Sequence, residues 1–146
     1  MQPQMTLTEQ DQKMTAAFNT LAVCFSQLPP SRALELAAEH AIAGADELMH
    51  ARTTGPKVDY AAPLLPFLHI TQTPKSKRPP VDNTQKISAA GNAYYQIEVV
   101  MMRSQEWWHG NRNSYEAGHR KNCAQNALRT SVHWFERAKA AAPSAR

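Results

Sequence analysis

The sequence predicts an all-α protein: a bundle of four main helices, arranged as two hairpins joined by a long proline-rich crossover. Three observations lead there. Apolar residues recur at spacings of three and four over four long windows, the period of a helix with one buried face. No segment alternates convincingly between apolar and polar residues, and five glycines are few for the turns of a β-sandwich. The 146 residues and 42% hydrophobic content suit one domain with one modest core.

The first helix is expected over about Thr8 to Gln27. Thr8-Glu9-Gln10-Asp11 resembles a capping box with Asp in the usual Glu or Gln position. Met14, Phe18, Leu21, Phe25 and Leu28 form its apolar face, and Pro29-Pro30 stops it, because proline has no N–H and disfavours helix in the residue before it. Ser31 is placed to cap the second helix, which runs to about Arg52 and ends at Thr53-Thr54-Gly55-Pro56. Its expected inward stripe is small (Ala33, Leu36, Ala37, His40, Ala43, Gly44, Leu48, Ala51), so a neighbouring helix can come close. The two-residue proline link predicts that these two helices form an antiparallel hairpin.

Residues 54–85 differ in kind, with prolines at 56, 63, 66, 74, 79 and 80. Asp59 to Ile70 holds Leu64, Leu65, Phe67, Leu68 and Ile70, enough for a short helix packed on the bundle. Thr71 to Gln85 is polar and basic, and a connection of this length is expected to be partly mobile. The third helix is expected over about Thr84 to Trp108, with Ile87, Ala90, Tyr94, Ile97, Met101 and Trp108 inward. Tyr95, Val99 and Met102 add a second apolar edge, which makes this helix the expected centre of the core. His109 to Asn113 reads as a turn. The fourth helix, Ser114 to Ala141, separates cleanly. Cys123, Ala124, Ala127, Leu128, Ser131, Trp134, Phe135 and Ala138 take one arc, and Lys121, Asn122, Gln125, Asn126, Arg129, His133, Arg137 and Lys139 the other. Residues 142–146 read as a frayed tail.

Sixteen Lys and Arg against twelve Asp and Glu leave +4, and the distribution is uneven. Residues 1–53 carry three basic and six acidic groups, residues 54–86 five and two, and residues 87–146 eight and four. An acidic N-terminal part is thus joined to a basic C-terminal part, a pattern that suits self-association or docking of a polyanion. No run of 18 apolar residues is present, so no membrane-spanning helix is expected. The first nine residues lack the basic and apolar regions of a signal peptide, and Cys24 and Cys123 are too few and too far apart for a disulfide framework. The expected compartment is the cytoplasm, with both thiols as small core residues.

No nucleophile–base arrangement, Walker pattern or other glycine-rich phosphate loop can be assembled from the sequence, so an enzyme is not expected, nor is a cofactor. Three Glu-x-x-His pairs stand out: Glu47 with His50, Glu106 with His109, and Glu116 with His119. At this spacing a carboxylate and an imidazole share a helix face and can hold one metal, as in carboxylate-bridged bundles. Here all three pairs sit near helix ends, and the first helix has no mid-helix carboxylate to complete a site. They are weak metal candidates.

The basic surface gives the leading expectation. Arg129, His133 and Arg137 are spaced by four, Lys121 lies on the same helix, Arg112 in the turn before it, and Lys75, Lys77 and Arg78 in the crossover. Lys and Arg neutralise phosphates and release counterions. Nucleic acid or a nucleoprotein complex is therefore the expected partner, held by its backbone and not by base reading. The alternative is a protein-interaction module, an inhibitor or adaptor, docking through Trp107, Tyr115 and the apolar 59–70 segment. A metal-binding bundle is the second alternative. In general build the chain is similar to small basic helical subunits that line nucleic acid in larger assemblies, including the small subunits of CRISPR effector complexes. Phage and plasmid accessory proteins that inhibit or adapt such complexes share this build. The likeness is one of architecture and charge and rests on no motif.

Overall fold

The computed structural model describes residues 7–51, 58–80, 87–103 and 114–141. Four main helices are present: α1 (Leu7–Ser26), α2 (Arg32–Ala51), α3 (Ala89–Arg103) and α4 (Ser114–Ala141). Three short 3-10 helices, Ala62–Phe67, Ile70–Gln72 and Lys75–Lys77, lie in the crossover, and no strand occurs among the described residues. The all-α bundle is as the sequence predicts.

The local start and stop rules act where expected, with small shifts. The Ser31 hydroxyl oxygen accepts the N–H of Leu34 at 3.1 Å, the N-cap of α2. The first helix begins at Leu7, one residue before the expected cap. The third begins at Ala89, after a turn at 87–88, and the expected end at Trp108 lies outside the described residues.

The pairing of helices departs from two sequence-adjacent hairpins. The principal packed pairs are α2 with α4 and α1 with α3, each formed across the crossover. The α2–α4 pair is antiparallel: Ala37 meets Ser131, Gly44 lies against Leu128 and Ala124, and Glu47 reaches Arg120. The reason is the crossover itself, which packs on both α1 and α2. The Tyr60 hydroxyl donates to Asp11 at 2.7 Å and its ring stacks on Phe18, Phe67 meets Phe25 edge-on, and Thr71 reaches Glu35. Residues 60–71 therefore run back along the bundle from the start of α1 to the start of α2. The expected short helix in this segment is the 3-10 turn Ala62–Phe67, with Leu64 and Phe67 buried.

Burial corrects two further expectations. On α2, Leu34, Ala37, Ala38, Ala41, Gly44, Ala45 and Leu48 are buried, whereas Ala43 is exposed and His40 half-exposed. A helix covered by both α4 and the crossover buries a wider arc, turned away from the expected stripe. On α3, Ala90, Tyr94, Ile97 and Met101 are buried as expected, but Tyr95 and Met102 are 61% and 69% exposed. This helix flanks the core and does not sit at its centre. The core gathers around Phe25, whose ring stacks on Phe135 at 5.2 Å and meets Phe67 at 5.6 Å.

Candidate nucleic-acid interface

The outward arc of α4 carries the candidate residues. Its inward side is set by Ala124, Leu128, Ser131, Phe135 and Ala138, all buried. Cys123, Ala127 and Trp134, expected inward, are half-buried at the margin. Arg129, His133 and Arg137 are exposed, and Lys121 is half-buried. From residue 119 to 141 there are five Lys and Arg and one Glu.

At 100° per residue, Arg129, His133 and Arg137 form a slanted row that advances about 12 Å along the helix, turning about 40° per step. Lys121 stands two turns earlier and about 80° round, so it extends the row and does not lie within it. Arg129 Nε is 3.9 Å from Glu98 of α3, both side chains well exposed. A solvent-exposed pair at that distance contributes under about 1 kcal/mol and yields easily to a phosphate. The Arg137 guanidinium lies over the Trp134 ring at 5.4 Å, and the His133 ring meets the same indole edge-on at 5.3 Å. Trp134 thus braces both side chains. The sequence reading assigned it to the buried arc and missed this; its place beside His133 at i−1 and Arg137 at i+3 was the available clue.

The crossover brings its cations to one end of the same bundle. Lys75 and Lys77 are exposed in a 3-10 turn, and half-buried Arg78 is fixed by its Nε–H, which donates to the Thr73 carbonyl at 3.0 Å. Lys75 and Arg78 line a cavity that also touches Phe25, and Phe25 stacks on Phe135 of α4. The turn and the last third of α4 therefore share an end of the molecule. Lys121 belongs to the opposite end, where its neighbour Arg120 meets Glu47 of α2 at 3.6 Å. The 75–78 turn and the last third of α4 lie toward one end of the molecule, and Lys121 lies toward the other.

What holds the turn in place is a buried carboxylate that the sequence reading did not single out. Glu35, 5% exposed in the first turn of α2, accepts both the N–H and the hydroxyl of Thr71, and Arg32 Nη1 at 3.2 Å. Burial alone would raise its carboxyl. The two Thr71 hydrogen bonds and the nearby guanidinium outweigh that and hold it below the ordinary carboxylate value. A depressed folded-state value contributes stability above the unfolded value of about 4.3, lost as pH falls through the lower folded value. Glu35→Gln is expected to lower stability at pH 7 by about 1–2 kcal/mol, the scale of hydrogen bonds to a charged group. Thermal unfolding over a series from pH 7 into acid checks this: the gap between variant and wild type should narrow as the pH falls through the lowered native value, where the folded carboxyl takes up its proton.

The metal candidates among the described residues, Glu47, His50 and His119, do not converge. Glu47 is engaged by Arg120, and His50 Nδ1 lies 2.7 Å from the Asp46 carbonyl. His119 Nε2 faces the half-buried Cys123 thiol at 3.7 Å. Among the described residues, no group of three His, Cys, Asp or Glu side chains could hold a metal ion. Glu106, His109, Trp107 and Arg112 lie outside the described residues, as do the side chains of Tyr115 and Glu116. The apolar 59–70 segment, expected as a docking surface, is largely consumed by the core: Tyr60, Leu64, Phe67 and Ile70 are buried and Leu65 alone of its large apolar side chains is strongly exposed. Cys24 is buried and Cys123 half-buried, and they form no disulfide. No described helix is long and apolar enough to cross a membrane.

No protein-family model, curated protein or solved structure matches the chain.

Proposed function

We propose that this chain is a non-enzymatic binding protein of the cytoplasm, an accessory subunit that contacts nucleic acid or a nucleoprotein complex through its sugar–phosphate backbone. One observation carries the reading: Arg129, His133 and Arg137 stand exposed in a row on α4, with one acidic residue along the whole 119–141 stretch and with Lys75 and Lys77 exposed toward the same end of the bundle. The row spans about 12 Å, three to four phosphates at the 3.4 Å rise of one B-form strand. Among the described residues it has no inserted helix turn or exposed aromatic platform for reading bases, so affinity without sequence preference is expected. Such a subunit suits a mobile-element or host complex in which a larger partner supplies specificity.

Fluorescence anisotropy with single- and double-stranded DNA and RNA across a salt series tests this. The logarithm of the binding constant should fall against the logarithm of salt with a slope of about −3 to −5, the count of phosphates the surface can neutralise. The double variant Arg129→Glu/Arg137→Glu should retain its thermal unfolding temperature and lose binding, because both side chains are exposed. Wild-type binding without salt dependence, or a double variant that binds normally, would falsify the assignment of this surface.

A second reading is favoured by a different observation. Tyr95, Val99 and Met102 repeat at four and three on the outer side of α3, and two of them are mostly exposed. An apolar helix stripe of this kind suits a protein partner. Under that reading a stoichiometric complex with a protein would form with weak salt dependence, and Tyr95→Lys would break it while nucleic-acid binding stayed unchanged.

A further inference from the structure

At the end of the bundle where α1 closes, the chain forms an open cavity of about 460 Å³. This is within the range of small-molecule sites and far above the voids of a close-packed interior. Its inner surface is apolar, with Phe25, Leu28, Phe67 and Ile70 at the base and two proline pairs, Pro29-Pro30 and Pro79-Pro80, as walls. Proline walls have a fixed φ and little side-chain freedom, so the opening does not close by rotamer collapse. The crossover wall is held from outside by Glu35 through Thr71 and by the Arg78-to-Thr73 hydrogen bond.

The polar lining is one-sided. Its charged members are Lys75 and Arg78, its neutral polar members Ser26 and Gln27, and it has no Asp or Glu among the described residues. Ser26 points its proton elsewhere, donating to the Val23 carbonyl at 2.6 Å. Arg78 uses Nε on Thr73 and keeps its two terminal nitrogens for another acceptor. Lys75 is exposed. A mainly apolar hollow whose charges, among the described residues, are two cations is complementary to a small molecule with an apolar body and one anionic head.

We infer that this cavity is a binding site for a small amphipathic anion, an alkyl or aromatic carboxylate, with its body against Phe25, Leu28, Phe67 and Ile70 and its head at Lys75 and Arg78. The site shares Lys75 and Arg78 with the surface proposed for nucleic acid, but its apolar contacts, Phe25, Leu28, Phe67 and Ile70, belong to the cavity alone, so titration of the protein without nucleic acid tests it separately.

The test is titration of the full chain with decanoate, read by the methyl resonances of Leu28 and Ile70, with 1-decanol as the neutral comparator of equal length. Decanoate should bind saturably at one equivalent, shift those methyls and bind at least tenfold more tightly than decanol. Lys75→Glu and the double variant Lys75→Glu/Arg78→Gln should each keep the wild-type circular dichroism and weaken decanoate about tenfold or more, leaving decanol nearly unchanged. Lys75→Glu alone is the safeguard should Arg78→Gln disturb the turn, since Lys75 is solvent-exposed. Absence of saturable decanoate binding overturns the site. Equal affinity for decanol, or indifference to Lys75→Glu, overturns the assignment of the anionic head, and shifts confined to methyls elsewhere overturn its location.

Discussion

Gly44→Leu is expected to destabilise the protein by about 3 kcal/mol or more, the upper part of the range for overpacking a close interface. Gly44 is buried in the middle of α2 where that helix meets α4. A Cβ there would stand 3.0 Å from Leu128 Cγ and 3.3 Å from the Ala124 carbonyl oxygen. Leu128 can turn, but the carbonyl belongs to the α4 backbone and moves only with the helix. A leucine adds three further carbons in the same direction, so α2 and α4 must separate along the antiparallel pair that spans Ala37 to Glu47. The effect is large against a total stability of about 5–15 kcal/mol, and for a chain of this length corresponds to a fall of roughly 6–12 °C in Tm. Gly91 supplies the control. It is exposed on α3, and a Cβ there meets nothing within 4 Å. Gly91→Leu should therefore be neutral or stabilising by up to about 1 kcal/mol, the helix-propensity gain over glycine. Thermal and urea unfolding of both variants checks the pair, and equal effects at the two glycines would mean that α2 and α4 do not approach as closely as described.

The contrast between these glycines shows how far sequence reading reaches in this chain. Gly44 was legible as a member of a small-residue stripe, because Ala37, Gly44 and Leu48 keep a helical period. Which helix it faces was not legible. The two-residue Pro29-Pro30 link argues locally for a hairpin of α1 and α2, and that argument fails because residues 60–71 return along the bundle and pack on both helices. Their affinity for those helices lies in contacts remote in sequence: Tyr60 with Asp11, Phe67 with Phe25, Thr71 with Glu35. A period of 3.6 residues reports which face of a helix is apolar, and it carries no information about partners 36 or 49 residues away.

The same limit applies to the candidate sites. The α4 arc was readable because it lies on one helix, and Arg129, His133 and Arg137 are exposed as their spacing implies. Bracing of Arg137 and His133 by Trp134 was not, since an indole on the margin of the arc scores as core by period alone. The cavity was invisible, being assembled from the end of α1, the proline link and two parts of the crossover. Glu35 reads in sequence as an ordinary first-turn carboxylate, favourable to the helix dipole. Only its burial against Thr71 identifies it as the anchor of the crossover.

Ser131→Ala is expected to cost about 1.5–2.5 kcal/mol and Tyr94→Phe only about 1, although Tyr94 is much the larger side chain. The asymmetry follows from the direction of a buried hydrogen-bond chain. Ser131 is fully buried, and its hydroxyl donates to the Ala37 carbonyl at 2.7 Å. That commits its one proton, so the 2.7 Å contact between Tyr94 and Ser131 has the tyrosine as donor. Burial pushes the Tyr94 hydroxyl well above the ordinary phenol range, with the Ser131 hydrogen bond opposing only in part, so it stays protonated as this role requires. Three helices, α3, α4 and α2, are tied by these two bonds. Removing Ser131 leaves a buried phenol O–H with no acceptor, the costly kind of loss, partly offset by alanine's better helix propensity. Removing the Tyr94 hydroxyl leaves an oxygen lone pair on Ser131, whose donation to Ala37 persists, and the ring keeps its edge contact with Phe135 at 6.4 Å. The double variant should cost less than the sum of the two by about 1 kcal/mol, since each single change strands a group that the other removes. Urea unfolding of the four proteins in the cycle measures all three quantities. A larger loss for Tyr94→Phe than for Ser131→Ala would reverse the assigned proton order, and strict additivity would show that the two hydroxyls do not support one another.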